Sequence, residues 1–175
     1  RIKSVDRGLG FTIFLSRSGD VYSMGTNKWG QCGIGKSDAK RNMNRTVFPF
    51  CISDIKNIAQ ICCGFYHCLA LSDEHYIYSW GKNEMGQCEI DTDENRKIYK
   101  PQMIESLKEH EIAAENNNSY AKSKDNKHWL WGDNGYGQCK LEIQNESIHY
   151  MYDYVEIPYR IDDVFWNKTQ KKIIK

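Results

Sequence analysis

The feature that most constrains this sequence is an eight-residue motif that occurs three times. The motif reads Gly-x-Asn-x-x-Gly-Gln-Cys, and its copies start at Gly25, Gly81 and Gly132, at intervals of 56 and 51 residues. Regular self-similarity at such a period is typical of proteins built from stacked copies of one structural unit, each burying its apolar face against its neighbours. We therefore expect three equivalent units in this chain.

The residues before each motif predict a β-hairpin. Each copy has an apolar run, a short turn and then a run of β-branched and aromatic residues that leads directly into the glycine. This composition suits a pleated, half-buried strand, and the intervening residues are typical of turns. The predicted hairpins span Phe11–Met24, His67–Trp80 and Asn118–Trp131.

One segment allows a different interpretation. Residues 101–114 are rich in helix-forming residues, and Met103 and Leu107 are spaced as on one face of a helix. The corresponding segment of the first unit, residues 47–61, reads as two strands around a turn. We therefore predict strands here, with a helix as the alternative.

The repeat divides the chain into units. A fainter fourth copy begins near the C-terminus, where Val164-Phe-Trp166 aligns with Ile61-Cys-Cys63 of the second unit. We expect one partial domain over residues 1–175, with units at approximately 1–56, 57–107 and 108–160 and the start of a fourth at 161–175.

The second unit resembles the repeat of the regulator of chromosome condensation family. The residues that carry this resemblance are Gly64, His67, Leu69, Ala70, Leu71, Trp80, Gly81, Asn83, Gly86 and Gln87. The resemblance implies an all-β fold, a seven-bladed β-propeller with four antiparallel strands in each blade. Three units and a beginning are too few to close such a ring, so we expect about three blades of an incomplete one.

An incomplete ring leaves its outer blades without neighbours. We expect the apolar rows Phe11, Ile13 and Leu15 at one end, and Val164, Phe165, Ile173 and Ile174 at the other, to be exposed there. Exposed apolar surface of this kind favours association. Self-association, or pairing with further blades, is the predicted outcome.

Within each motif the residue types indicate a structural role. We expect positive φ at Gly30, Gly86 and Gly137, and we expect the motif asparagines and glutamines to bond loop backbone groups. Where the family has leucine, this chain has Cys32, Cys88 and Cys139, which we predict to be buried free thiols.

The third unit departs from the family pattern. Glu115 stands in place of the glycine, Asn118 in place of the histidine and Lys122 in place of a leucine. A lysine on the core face of a blade indicates either that this blade is partly open or that the residue lines a wet channel. His67, which keeps the family's histidine, is interpreted as a core residue bonded to backbone rather than as a metal ligand.

Composition narrows the classes of partner. The 24 Lys and Arg residues nearly balance the 23 Asp and Glu residues, giving a formal net charge of +1. This balance argues against nucleic acid as a direct partner, and no run of about 20 apolar residues indicates a membrane span. Seven cysteines without a Cys-x-x-Cys pair indicate reduced thiols, and hence the cytoplasm or the nucleus.

These observations favour a protein-interaction scaffold. No hydrolase, metalloprotease or phosphate-loop motif is present, so we predict no catalytic residue, cofactor or metal. The alternative implied by the resemblance is guanine-nucleotide exchange on a small, Ran-like GTPase. Packing is the preferred role of the equivalent residues Trp29, Met85 and Tyr136. With Tyr150 and Tyr152 of a long insert, they remain the candidate interaction residues.

Overall fold

The computed structural model describes residues 1–35, 45–90, 95–135 and 154–161, and in these residues the chain forms strands and no helix. No described segment therefore forms a helix able to reach across a bilayer. The twelve strands are β1 (Ile2–Gly8), β2 (Phe11–Ser16), β3 (Val21–Thr26), β4 (Arg45–Cys51), β5 (Ile58–Cys63), β6 (His67–Ser72), β7 (Tyr76–Lys82), β8 (Lys97–Lys108), β9 (Glu111–Glu115), β10 (Asn118–Lys122), β11 (His128–Asp133) and β12 (Tyr154–Ile161).

The strands form three four-stranded antiparallel sheets, each made from four consecutive strands. We call them blade 1 (β1–β4), blade 2 (β5–β8) and blade 3 (β9–β12). All three predicted hairpins are confirmed, because β2 pairs with β3, β6 with β7 and β10 with β11. The alternative of a helix over residues 101–114 is wrong, since this segment contributes to β8 and β9.

The blades are arranged as in a propeller, with their first strands side by side. Strand β1 contacts β5, and β5 contacts β9. The turns that follow these inner strands are joined by backbone hydrogen bonds. The amide of Leu9 donates to the carbonyl of Phe65 at 2.8 Å, and the amide of Phe65 donates to the carbonyl of Asn116 at 2.6 Å.

An apolar layer fills the space between blades 1 and 2. Side chains alternate along a strand, so each blade has a forward face towards the next blade and a rear face towards the previous one. The forward face of blade 1 meets the rear face of blade 2, and the layer contains Phe11, Ile13, Leu15 and Val21 from blade 1 and Ile61, Cys63, Cys68, Ala70 and Trp80 from blade 2.

The layer between blades 2 and 3 repeats this arrangement. It contains Leu69, Leu71, Ile77 and Ile104 of blade 2 and Ile112, Ala121 and Trp131 of blade 3. A hydrogen bond is also repeated: the indole of Trp80 donates to the carbonyl of Gln31, and that of Trp131 to the carbonyl of Gln87, each at 3.0 Å. The fully buried tryptophans thus tie each blade to the motif loop of the blade before it.

One expectation about the open ends is wrong. Phe11, Ile13 and Leu15 are at most 3% exposed, because they lie on the forward face of blade 1 and pack against blade 2. The rear face of blade 1 carries instead a row across the sheet formed by Val5, Phe14, Tyr22 and Cys51. Val5 is 55% exposed. The row expected at the other end, Val164, Phe165, Ile173 and Ile174, lies outside the described residues, and self-association stays a prediction.

Candidate interaction face

The motif loops of blades 1 and 2 are held by their own asparagine and glutamine side chains. In blade 1, Asn27 Oδ1 accepts from the amide of Cys32 at 3.0 Å, and Gln31 Oε1 accepts from the amide of Trp29 at 2.8 Å. In blade 2, Asn83 accepts from Cys88 at 2.9 Å and Gln87 from Met85 at 2.8 Å. The predicted capping role is confirmed for these two loops.

The glycine inside each loop permits close packing against the next blade. Gly30 and Gly86 have φ values of 85° and 67°, as predicted, while Gly137 lies outside the described residues. A Cβ atom on Gly30 would lie only 2.6 Å from the carbonyl oxygen of Ile98 in β8. The loop of blade 1 is therefore seated directly on the outer strand of blade 2.

The motif cysteines fill buried slots beneath the loops. Cys32 and Cys88 are fully buried, and burial raises the pKa of the Cys32 thiol to about 11. The hydroxyls of Ser23 and Ser79 donate to the carbonyls of these cysteines at 2.7 and 2.6 Å. The described cysteines are all free thiols, and Cys51 among them is exposed; Cys139 lies outside the described residues.

Trp29 lies half-buried where the loop of blade 1 meets blade 2. Three ammonium groups surround its ring: the Nζ atoms of Lys28, Lys82 and Lys97 lie 5.3, 5.0 and 4.7 Å from the ring centre. The ring of Tyr66 lies 6.3 Å away, centre to centre. We call Trp29, Lys28, Lys82 and Lys97 the Trp29 cluster.

A pocket opens next to this cluster, at the turns that follow the inner strands β1, β5 and β9. We call this opening the mouth. Equivalent positions of the inner turns are occupied by Leu9, Phe65 and Asn116, and Leu9 and Phe65 are 47% and 39% exposed. They line this pocket of about 540 Å³, which Arg7 and Glu115 also border. Because Tyr66 follows Phe65 and contacts Trp29, the mouth and the Trp29 cluster form one surface, which we call the loop face.

The other candidate interaction residues are placed less informatively. Met85, the equivalent of Trp29, is half-buried in the loop of blade 2. Tyr136, Tyr150 and Tyr152 lie outside the described residues. Sequence reasoning missed the lysines around Trp29, although Lys28 stands inside the first motif and Lys82 inside the second.

Comparison with known proteins decides the family. The model of the regulator of chromosome condensation (RCC1) repeat matches residues 18–71 and 74–114, more than half of the chain. This chain belongs to the RCC1-repeat family.

Curated relatives agree with this assignment. The chain is 31% identical to an RCC1 repeat-containing protein of Dictyostelium discoideum and 34% identical to the ultraviolet-B receptor UVR8 of Arabidopsis thaliana, covering 82% and 85% of this chain. It is 33% identical to a probable E3 ubiquitin-protein ligase, HERC4, of Homo sapiens over 83% of this chain. The chain spans only 31%, 33% and 18% of these three proteins.

Solved structures show the same fold. The crystal structure of Kap60 bound to yeast RCC1 (Prp20) matches with a TM-score of 0.73 and 23% identity, covering 93% of this chain and 38% of that chain. The likeness therefore supports the all-β propeller architecture, of which this chain provides three blades.

Blade 3 departs from the RCC1 repeat on its forward face. Lys122, which replaces a leucine, is half-exposed there, and its Nζ atom lies 3.9 Å from a carboxylate oxygen of Glu111. Glu115, which replaces the glycine, is exposed as well. Because β10 is the second strand of its sheet, Lys122 does not lie on the innermost strand of blade 3, and a partly open blade stays a prediction.

The family histidine is part of the core between blades 2 and 3. His67 is fully buried, and its Nε2 lies 2.8 Å from Ser119 Oγ, which in turn donates to the carbonyl of Gln87 at 2.7 Å. Burial lowers the pKa of His67 to about 4. The core role is confirmed, and the ring interacts with both the backbone of Asn118 and the hydroxyl of Ser119 in the next blade. No group of three potential metal ligands occurs among the described residues.

Proposed function

We propose that this chain is part of a protein-binding scaffold and that its partner binds the loop face. The observation that carries this proposal is a continuous surface that joins exposed Leu9 and Phe65 to Tyr66 and the Trp29 cluster. Exposed and half-buried aromatic side chains such as Phe65, Tyr66 and Trp29 are of the type that is enriched in protein interfaces. The conclusion is a binding role rather than a catalytic one.

The backbone under this face supports a binding role. The inner turns are tied to one another by hydrogen bonds, and the motif loops are held by Asn27, Gln31, Asn83 and Gln87. A surface whose backbone is fixed before binding loses less conformational freedom when the partner arrives. Rigid strands that present such loops are a common design for binding proteins.

We infer that the scaffold acts in the cytoplasm or the nucleus. The six described cysteines are all free, although Cys63 and Cys68 face each other across paired strands with their sulfur atoms 3.9 Å apart. Free thiols at this distance are expected in a reducing compartment.

The experiment compares two faces of the same protein. Leu9→Ser with Phe65→Ser removes apolar surface from the loop face, whereas Asp73→Ser with Glu74→Ser alters exposed residues at the opposite end of blade 2. Partners are captured from cell extract with the native protein and both variants, and are quantified by mass spectrometry. We expect one set of partners to be lost with the first variant and kept with the second; equal loss with both would contradict the proposal.

A second candidate function is guanine-nucleotide exchange on a Ran-like GTPase, which the fold likeness to yeast RCC1 supports by analogy alone. The measurement is release of fluorescent GDP from Ran in the presence of this chain. The scaffold proposal predicts release at the uncatalysed rate. Acceleration that Leu9→Ser with Phe65→Ser removes would instead favour exchange.

A further inference from the structure

The Trp29 cluster concentrates positive charge on a small area. Three ammonium groups lie within 5.3 Å of one indole ring, at the junction of blades 1 and 2. Among the described residues, the one carboxylate within ion-pair distance of these lysines is that of Glu84, 2.9 Å from Lys82. Ammonium groups gathered around one ring repel one another, and the repulsion is relieved when an anion binds.

The fold does not require this charge. At the junction of blades 2 and 3, the positions of Lys28, Trp29 and Lys82 are held by Glu84, Met85 and Asp133. The position of Lys97 is held by Tyr154, because Lys82 pairs with Lys97 and Asp133 pairs with Tyr154. The loop of Glu84 and Met85 keeps the same hydrogen bonds as the loop of Lys28 and Trp29. The same backbone therefore forms with acidic residues as with basic ones.

The backbone that carries the cluster is fixed before any ligand arrives. Lys82 and Lys97 lie on adjacent paired strands, and the amide of Trp29 is bonded to Gln31. The side chain of Lys82 is only 16% exposed, so its ammonium group is partly desolvated. Partly desolvated cations at fixed positions form strong, charge-assisted hydrogen bonds with carboxylates.

The geometry disfavours a nucleic acid as the ligand. A base binds an aromatic side chain by stacking on its open face, and single-stranded nucleic acid combines such stacking with contacts to phosphates. Here the lysine ammonium groups lie 4.7 to 5.3 Å from the centre of the Trp29 ring. They therefore occupy the space that a stacked base would need.

We propose that the Trp29 cluster binds a segment of a partner protein that is rich in Asp and Glu carboxylates. This proposal rests on the proposed function, because the cluster is part of the loop face. It adds the chemistry of the partner: carboxylates that replace the missing counter-charge of Lys28 and Lys97, beside apolar groups that contact Phe65 and Leu9.

The test measures binding of a fluorescein-labelled peptide of eight alternating Asp and Glu residues by fluorescence anisotropy. Lys28→Glu with Lys82→Asp installs the residues of the other junction. The matched control, Lys56→Glu with Lys124→Asp, makes the same change in net charge at exposed positions away from the loop face. We expect the affinity to fall about tenfold with the first pair, because charge-assisted contacts to partly buried Lys82 are lost. The second pair is expected to change it less than twofold, because exposed charges are screened by salt.

Two further measurements separate specific from general attraction. Trp29→Met, the residue of the other junction, is expected to weaken binding two- to fivefold, because it removes the ring on which the ammonium groups are arranged. An unlabelled single-stranded oligonucleotide of equal charge is expected to compete poorly.

Absent binding, equal loss with both charge-reversed pairs, or stronger binding of the oligonucleotide through the same lysines would overturn the proposal. Failure of this proposal can be told apart from failure of the proposed function. If Leu9→Ser with Phe65→Ser releases the captured partners while Lys28→Glu with Lys82→Asp retains them, the loop face binds its partner without this cluster.

Discussion

The forward faces of blades 2 and 3 have the same strand register but different chemistry. In blade 2 this face meets blade 3, and its residues are at most 3% exposed: His67, Leu69, Leu71 and Ile77. The equivalent residues of blade 3 are Asn118, Tyr120, Lys122 and His128. Two of these are bonded to each other, since Tyr120 Oη lies 2.7 Å from His128 Nδ1.

The difference shows that the repeat controls two properties separately. The motif glycines, asparagines and glutamines fix the backbone of a blade, whereas a few positions on its faces decide how strongly it adheres to its neighbour. Full burial of one leucine or isoleucine stabilises by about 1.5–3 kcal/mol, which Lys122 cannot provide. We infer that apolar contacts stabilise the junction of blades 2 and 3 more than they would stabilise a junction between blade 3 and a further blade.

Exchanging one residue between the two faces is expected to give the largest effect. Leu71→Lys places a lysine where blade 3 covers it, so it loses apolar contacts and buries a charge, at a cost of about 4 kcal/mol. Lys122→Leu is expected to change the free energy of unfolding by less than about 1 kcal/mol, because Lys122 is half-exposed. Urea denaturation measures both. Equal costs for the two variants would show that the faces are covered alike.

Acid should weaken the contact that contains His67. The pKa of His67 is about 4 in the folded chain, against an ordinary value of 6.5. Between pH 6.5 and 4 the imidazole is therefore protonated in the unfolded chain but neutral in the folded chain. Neutral His67 contributes about 3 kcal/mol to the free energy of unfolding above pH 6.5 relative to acid, and this contribution is lost as the pH falls towards 4.

The control for this pH dependence is His67→Asn, which places the residue of blade 3 in blade 2. The variant is less stable at neutral pH, because the hydrogen bond between the imidazole and Ser119 Oγ is lost. The free-energy difference between the native protein and the variant is expected to shrink between pH 6.5 and 4, as measured by urea denaturation at each pH. A constant difference would mean that His67 is protonated as readily in the folded chain as in the unfolded chain.

Thiol labelling should give the smallest change and still sharpen the comparison. Cys32 and Cys88 are fully buried under their loops and are expected to react only after denaturant is added, whereas exposed Cys51 reacts at once. Mass spectrometry of the labelled protein identifies each site. Our prediction for Cys139 is the same protection. Rapid labelling of Cys139 alone would show that the loop of blade 3 is less closed than its equivalents.

Much of the fold was readable from the repeat, because the spacing of the motif fixes which residues are equivalent. The hairpins, the caps made by Asn27 and Gln31 and the burial of Cys32 all follow from that equivalence. The direction in which each face points was not readable, since alternation along a strand gives two faces without telling which one meets the next blade. For this reason the sequence predicts Phe11 at an open end, whereas it packs against blade 2 in the structure.

The candidate site was readable only in part. Trp29 stood out because its position recurs in every motif, but its lysines come from two blades and are brought together by strand pairing. The equivalence of the inner turns was readable, since Leu9, Phe65 and Asn116 are separated by the same 56 and 51 residues as the motifs. Their exposure and the hydrogen bonds that join them were not, because these depend on how the blades are placed side by side.

These hydrogen bonds between the inner turns have a direction. At both junctions the amide of the earlier blade donates to the carbonyl of the later one, from Leu9 to Phe65 and from Phe65 to Asn116. A series of this kind has a polarity, like that of subunits in a filament. A two-fold axis would reverse the direction at its centre, so a second copy cannot continue the series as a symmetric dimer. Copies that extend it must add head to tail, with the forward face of one against the rear face of the next, and such an arrangement ends only by closing into a ring.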